Sequence, residues 1–212
     1  MKKGLFISFE GSDGTGKSTQ VRLLTEYLSS KGYDVLLTRE PGGTAISEKI
    51  RNIILDPENS EMDGHTEALL YAASRAQLVS EVLRPAIEEG KIIICDRFMD
   101  SSIAYQGFAR GLGPDEVRMI NEFAVHGLQP DITFFMDLSP EKAMQRVERQ
   151  GSKDRLEAEA MDFHRSVYQG FVKLCEIYKD RFVRVDASDS IEKIAALIRA
   201  RFEEYVARRD KA

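Results

Sequence analysis

One octapeptide, residues 11–18, constrains the fold of this chain more than any other feature. It reads GSDGTGKS and matches the pattern G-x-x-x-x-G-K-[ST] of a phosphate-binding loop. The apolar run at residues 5–9 predicts a buried strand before the loop. Apolar residues at helical spacing follow the loop, and Gly32 is the predicted end of that helix. A strand, a glycine-rich loop and a helix in this order are the context that the motif requires, which disfavours a glycine turn that matches by chance.

The chemistry of such a loop follows from its backbone. Glycines allow successive N–H groups to point into one concavity, and the helix N-terminus adds partial positive charge, so together they bind a polyphosphate. Lys17 is expected to reach the β- and γ-phosphates, and the Ser18 hydroxyl is expected to ligate Mg²⁺. The residues expected to bind ATP are Gly11, Ser12, Asp13, Gly14, Thr15, Gly16, Lys17, Ser18 and Thr19.

The overall composition limits the class of protein. A length of 212 residues predicts one domain, or one domain with a small mobile insert. The net charge of −5 argues against a nucleic-acid-binding surface, which would usually be basic. The two cysteines, Cys95 and Cys175, could form one disulfide, but nothing suggests a disulfide scaffold. Cys95 ends an apolar run, which predicts a buried free thiol. No secretory signal and no run of membrane-spanning length is visible, so we expect a cytoplasmic protein.

Strands and helices alternate along the chain. Further strands are predicted at residues 33–38, 91–95, 132–138 and 181–185. Helices are predicted near residues 46–54, over 65–89 with a kink or restart at Pro85, from Pro114, from Pro140, over 157–180 and over 190–209. This alternation predicts an α/β fold with a parallel sheet covered by helices on both faces. Ligands then bind at the carboxyl ends of the strands.

Charged residues follow two of these strands. Residues 39–43 read REPGG after the second strand, and Asp96 and Arg97 follow the third. An acid that ends a buried strand beside a phosphate-binding loop is placed to hold Mg²⁺, so Asp96 is predicted as a metal ligand together with Ser18. The guanidinium of Arg97 suits bidentate phosphate binding. The alternative is a structural ion pair between Asp96 and Arg97.

A basic segment at about residues 146–158 predicts a mobile lid. It carries Arg146, Arg149, Lys153 and Arg155 around a glycine and lies between two predicted helices. Cations that close over the reacting phosphates stabilise the charge of a phosphoryl-transfer transition state. The alternative is a solvated turn between helices.

Tyr71 and Arg75 lie four residues apart and therefore share one face of the predicted helix. An aromatic ring one turn from an arginine can stack on a base and hydrogen-bond to it. Taken alone, a core tyrosine beside a surface arginine explains the same spacing.

In order along the chain, these segments resemble the thymidylate kinase family of nucleoside monophosphate kinases. The matching pieces are FEG at residues 9–11, TREPGGT at 38–44, the helix from Tyr71 to Arg75, DRF at 96–98 with SS at 101–102 and YQG at 105–107, and the lid. The resemblance implies a three-layer P-loop fold with five parallel strands in the order 2-3-1-4-5. It also implies a homodimer and Mg²⁺-dependent transfer from ATP to dTMP, giving dTDP and ADP.

The resemblance also implies roles for single residues. Tyr71 would stack on thymine, Arg75 would hydrogen-bond a thymine carbonyl, and Asp13 would orient the acceptor near its 3′-hydroxyl and phosphate. The residues implied to bind dTMP are Asp13, Glu40, Arg51, Tyr71, Arg75, Arg97, Ser101, Ser102, Tyr105 and Gln106. Some members of the family carry an arginine where this chain has Thr15, so here the lid is implied to supply that charge. The catalytic residues are then Lys17, Arg97, Arg149, Lys153 and Arg155.

Other functions remain open at this point. A deoxynucleoside kinase or another monophosphate kinase would carry much of the same machinery. A GTPase would carry Asn-Lys-x-Asp for guanine, and no such tetrapeptide occurs in the sequence. A nonenzymatic nucleotide sensor also fits the phosphate-binding loop.

Overall fold

The sheet of this protein has five parallel strands. In the computed structural model, which describes residues 4–149, 154–209 and 211, their order is β2-β3-β1-β4-β5. The strands are β1 (Leu5–Glu10), β2 (Val35–Arg39), β3 (Ile92–Asp96), β4 (Ile132–Asp137) and β5 (Phe182–Asp186). The predicted fold class and strand order are therefore confirmed. Four strands, β1, β2, β3 and β5, continue one residue past the predicted end, because the last residue of each is charged and the apolar pattern did not include it.

The strand register brings the loops that carry the predicted site residues to one edge of the sheet, at the carboxyl ends of the strands. Phe9 pairs with Asp96, and Asp96 in turn pairs with Arg39 on the other side. Glu10 pairs with Phe135. The carboxyl ends of three strands thus lie level with the start of the phosphate-binding loop, as expected for an open parallel sheet.

Helices cover both faces of this sheet. The α-helices described are α1 (Lys17–Ser30), α2 (Ala45–Leu55), α3 (Gly64–Leu78), α4 (Arg84–Glu88), α5 (Met99–Ser102), α6 (Pro114–Val125), α7 (Pro140–Glu148), α8 (Met161–Ile177) and α9 (Ile191–Arg209). Side-chain caps fix the starts of two helices: Thr44 and Asp63 accept hydrogen bonds from the first turns of α2 and α3. Within the described residues, no helix is both long and apolar enough to span a membrane.

The helix predicted over residues 65–89 is divided in two. Between α3 and α4 lies a π-helical segment, Val79–Leu83, and Pro85 occupies the first turn of α4. Proline has no N–H and its ring crowds the preceding turn, so the chain widens before it and the helix restarts. The predicted restart of the helix at Pro85 is therefore confirmed, and the structure adds that a π-helical segment precedes it.

A second helical segment was not predicted. α5 continues directly into a π-helical segment, Ile103–Ala109, and most of its side chains are buried. Burial on all sides leaves no alternation of polar and apolar residues, which is the signal that reveals a surface helix. α8 packs closely against this segment at Gly170, where a Cβ atom would lie 2.9 Å from Phe108 Cδ2.

Apolar side chains fill both layers between sheet and helices. On one face Phe135 stacks on Phe171 with their ring centroids 5.3 Å apart, and on the other Phe9 packs against Phe134. Cys95 is fully buried and both cysteines are free, as predicted for Cys95. The loops at the carboxyl edge of the sheet therefore extend from strands whose two faces are packed with buried apolar side chains.

Candidate active site

The phosphate-binding loop joins β1 to α1. Gly14 and Gly16 adopt φ values of +78° and +89°, which side chains with a Cβ rarely allow. A Cβ on Gly14 would also lie 2.3 Å from the carbonyl oxygen of Ala143. Lys17 reaches back across the loop and donates hydrogen bonds to the carbonyl oxygens of Gly11 (3.0 Å) and Ser12 (2.8 Å). Burial, and then the positive charge of Arg97, lower the pKa of Lys17.

The two predicted metal ligands lie side by side. Ser18 donates a 3.1 Å hydrogen bond from its hydroxyl to Oδ2 of Asp96. Both residues line a large cleft over the loop that also contains Thr15, Thr19 and Gln20. Its far wall is formed by residues after β5, namely Ala187, Asp189, Ile191 and Ile194.

Arg97 forms an ion pair with Asp13 in the middle of the site. Its Nη2 donates to Asp13 Oδ1 at 2.7 Å, and its Nη1 donates to the Gly11 carbonyl at 2.8 Å. Burial alone would raise the pKa of Asp13, but Arg97 and Lys17 outweigh it and hold that pKa well below its usual range. The backbone of Arg97 has φ +72°, a left-handed conformation that is uncommon for arginine. The strained backbone turns Arg97 toward the phosphate-binding loop instead of pairing it with Asp96.

Glu10 lies beneath this ion pair and was not predicted as a site residue. Its Oε1 accepts the Phe98 N–H (2.8 Å) and its Oε2 accepts the Ser101 hydroxyl (2.5 Å). Ser101 Oγ also lies 3.2 Å from Arg97 Nη1, which donates to it. Complete burial, and then the nearby carboxylate of Asp100, raise the pKa of Glu10 to about 8. An acid at the end of a fully buried strand was the one local signal of its presence.

A second cavity adjoins the cleft over the loop. It is lined by Pro41, Leu55, Asp154 and Leu156, together with all ten residues that the resemblance implied for dTMP. Tyr105 lies against Arg97, whose guanidinium carbon is 5.3 Å from the Tyr105 ring centroid. The two cavities share four residues, which are Asp13, Glu40, Arg51 and Arg97.

Arg75 is buried, so the alternative of a surface arginine is wrong. It is 1% exposed and donates from Nε to Oε2 of Glu40 at 2.6 Å. Its remaining partners are the Ser102 hydroxyl, the Asn121 side-chain oxygen and the Phe98 carbonyl. These are four hydrogen bonds from the five N–H groups of the guanidinium, and Nη2 also lies 2.6 Å from Glu40 Oε2. Burial raises the pKa of Glu40 to about 7 although Arg75 opposes the shift.

The lid residues fall into three groups. Arg155 is buried, lines neither cavity, and donates to the Ile54 carbonyl (2.8 Å) and to Glu67 Oε2 (2.6 Å). Arg149 caps α7 at the surface, and the predicted Lys153 lies outside the described residues. Arg146, by contrast, lines the cleft and donates to the Gly14 carbonyl at 3.2 Å. In this structure it is therefore Arg146, and not Arg155, that contacts the phosphate-binding loop.

Comparisons with known proteins show which family this chain resembles. The sequence model of the thymidylate kinase family matches residues 9–198. A thymidylate kinase from a Geobacillus strain is 50% identical over 197 residues, covering 92% of this chain and 94% of its own length. One from Lactobacillus helveticus is 52% identical over 204 residues, covering 95% and 96%. The crystal structure of thymidylate kinase from Ehrlichia chaffeensis superposes with a TM-score of 0.79 at 32% identity, covering 95% of this chain and 99% of that one.

Proposed function

Since the chain belongs to the thymidylate kinase family, we propose that its two adjoining cavities hold the two substrates of that reaction. The protein is a phosphotransferase that uses ATP to convert dTMP to dTDP. ATP lies in the cleft over the phosphate-binding loop, and dTMP lies in the cavity beside Tyr71 and Gln106. The observation that carries this assignment is the shared wall, because Asp13 and Arg97 line both cavities at the place where the two phosphates must meet.

Catalysis in this geometry is alignment together with charge neutralisation. The acceptor phosphate is already an anionic nucleophile, so the reaction needs no strong general base. Lys17 exchanges its two loop carbonyls for the β- and γ-phosphate oxygens of ATP. Arg97 binds the acceptor phosphate while Asp13 keeps its guanidinium oriented. Arg51 lies at the same shared wall and adds positive charge next to the acceptor.

Ser18 and Asp96 would hold a Mg²⁺ ion. Their oxygens are 3.1 Å apart in the cleft, and a hydroxyl paired with a carboxylate suits a hard cation that keeps most of its water or phosphate ligands. When bound, the ion neutralises charge on the β- and γ-phosphates.

The lid spans about residues 146–158 of a single kinase domain and contributes further cations. Arg146 is best supported, since it already contacts the loop carbonyl of Gly14. Arg149, Lys153 and Arg155 remain predictions from the family resemblance. For Arg155, a catalytic role requires that it leave Glu67 during the cycle.

The remaining roles are proposed for residues that line the acceptor cavity. Tyr71 stacks on the base, Ser102 and Gln106 supply polar contacts, and Glu40 and Tyr105 line the sugar. Burial raises the pKa of Tyr105 above its usual range, so its phenol is a neutral donor at physiological pH.

A homodimer is the proposed assembly. Helices α3 and α6 pack against each other, and together they expose Leu69 (56%), Met119 (58%) and Phe123 (82%). Large apolar side chains exposed on neighbouring helices favour burial against a second protein surface. Two free cysteines support a location in the reducing cytoplasm.

A screen of ADP release tests the proposal. The purified protein with ATP and Mg²⁺ is offered dTMP, dUMP, dCMP, AMP and thymidine, and dTMP should give the highest kcat/KM. The variant Arg97→Gln should lose at least about 10²-fold, whereas Arg118→Gln, at an exposed arginine paired with Asp115 and Glu122, should not. Preference for thymidine would favour a nucleoside kinase. An unchanged kcat/KM in Arg97→Gln would show that Arg97, at the wall shared by the two cavities, does not take part in the reaction.

A further inference from the structure

Glu67 is a fully buried carboxylate directly behind the acceptor cavity. It projects from the first turn of α3 and is 0% exposed. Its Oε1 accepts hydrogen bonds from Gln106 Nε2 (2.9 Å) and Arg110 Nε (3.3 Å). Its Oε2 accepts from Arg110 Nη2 (3.1 Å) and Arg155 Nη2 (2.6 Å). Every one of these partners is distant in sequence, so the cluster exists only in the folded chain.

The charge of Glu67 decides which end of the Gln106 amide faces it. Burial alone would raise the pKa of Glu67, but hydrogen bonds from Arg110 and Gln106 outweigh it and lower that pKa. Glu67 is therefore ionised and can only accept hydrogen bonds. The amide nitrogen of Gln106 must face the carboxylate, because the reverse orientation would oppose two acceptors in a buried site.

The other end of the amide is left without a partner. Oε1 of Gln106 is buried and accepts no hydrogen bond within the part of the chain that the structure describes, although Gln106 lines the acceptor cavity. Buried carbonyl oxygens in native proteins are almost always paired, so this atom points to a donor on the ligand. Thymine carries an N–H at ring position 3, whereas cytosine has an acceptor nitrogen there.

We propose that Glu67 is a positioning residue for base selection, which fixes Gln106 so that its oxygen accepts a hydrogen bond from N3–H of the bound pyrimidine. This rests on the proposed function, in which dTMP occupies the cavity that Gln106 lines. Arg110 follows Gln106 by four residues and binds the same carboxylate, but it lines neither cavity, and the hydrogen bond from Gln106 Nε2 to Glu67 Oε1 does not pass through it.

The test compares selection between dTMP and dCMP. In Glu67→Gln the neighbouring group becomes an amide that offers either a donor or an acceptor, so Gln106 can turn its nitrogen toward N3 of cytosine. The ratio of kcat/KM for dTMP to that for dCMP should fall at least about tenfold. Arg110→Gln is the matched control, because it removes hydrogen bonds to Glu67 while leaving the contact with Gln106. It should keep the ratio within about threefold of wild type.

A double-mutant cycle separates orientation from general loosening. In a Gln106→Met background, Glu67→Gln should change the ratio no further, because the oriented amide is gone. An unchanged ratio in Glu67→Gln, or an equal fall in Arg110→Gln, would overturn the proposal. A wild-type protein inactive on dTMP would instead overturn the proposed function itself.

If Glu67→Gln does not fold, binding to the wild-type protein tests the hydrogen bond from N3–H to Gln106 that the proposal requires. dTMP methylated at N3 has lost the donor and should bind at least about tenfold more weakly than dTMP by calorimetry. Equal affinity for the two ligands would show that Gln106 does not accept from N3–H, and the proposal would be wrong.

Discussion

Arg97 Nη2 and Asp13 Oδ1 form a 2.7 Å ion pair at the wall that separates the two cavities. The pair joins the loop after β3 to the phosphate-binding loop, and the left-handed backbone of Arg97 makes the contact possible. Asp13 remains ionised at any pH at which the enzyme works, because Arg97 and Lys17 hold its pKa low. The acceptor phosphate therefore meets an arginine whose orientation is set before the substrate binds, which is the condition for electrostatic preorganisation.

Loss of that orientation should lower turnover. In Asp13→Asn the neutral amide binds Arg97 more weakly, so the guanidinium no longer has one fixed position. We expect kcat/KM for dTMP to fall at least about tenfold, equivalent to about 1.4 kcal/mol of transition-state stabilisation. Steady-state kinetics with dTMP varied at saturating ATP measures this. An unchanged value would mean that Asp13 does not position Arg97.

Glu10 should make the stability of the fold depend on pH. Its pKa is about 8 in the folded protein and about 4.5 when solvated, so between these values only the folded state holds the proton. Folding stability contributed by Glu10 is therefore present at low pH and lost as pH rises through this range, by at most about 1.4 kcal/mol per pH unit.

Glu10→Gln replaces the carboxyl group with an amide of similar shape, which does not titrate in this range. Denaturant unfolding at pH 5.5 and 7.5 should show a steeper loss of stability in wild type than in Glu10→Gln. Glu10→Asp, whose shorter side chain retracts from Phe98 N–H and Ser101, should be less stable than Glu10→Gln at both pH values. Parallel pH dependence in wild type and Glu10→Gln would contradict the raised pKa.

Lys17 carries the clearest catalytic expectation. Its ammonium group is held over the loop by the carbonyls of Gly11 and Ser12 and is poised to move to the phosphates. Lys17→Ala should lose at least about 10²-fold in kcat, comparable with the loss of one oxyanion-hole donor. A melting temperature near that of wild type would exclude unfolding as the cause. Normal turnover in this variant would refute the role of the loop.

Arg75 combines a structural and a binding role. Arg75→Ala should raise the KM for dTMP far more than the KM for ATP, because Arg75 lines only the acceptor cavity. It should also destabilise the fold by about 3–5 kcal/mol, since Glu40 is left buried without its partner. Kinetics with each substrate and denaturant unfolding measure the two effects. Equal changes in the KM for dTMP and the KM for ATP would show that Arg75 does not bind the base.

Sequence patterns revealed the parts of this molecule that depend on local order. The phosphate-binding loop and the strand ends at Arg39 and Asp96 each have a short motif behind them. The ten residues implied for dTMP came from the family resemblance, and the structure brings all of them to one cavity.

The residues that were missed act through partners far away in sequence. Glu67 meets Gln106, Arg110 and Arg155 across 39, 43 and 88 positions, and Glu10 meets Ser101 across 91. No periodicity encodes such pairs, because each depends on how whole elements pack. The same reason explains Arg155, whose charge suggested a phosphate ligand while its position makes it a partner of a buried carboxylate.

Calorimetry with both substrates tests the central claim of two adjoining sites most directly. A non-hydrolysable ATP analogue and dTMP are titrated into the protein with Mg²⁺, each alone and each into the complex with the other. Two separate cavities with a shared wall predict that dTMP binds with one-to-one stoichiometry whether or not the analogue is present, giving a ternary complex. If saturating analogue abolishes the binding of dTMP, the two ligands compete for one site and the account is wrong.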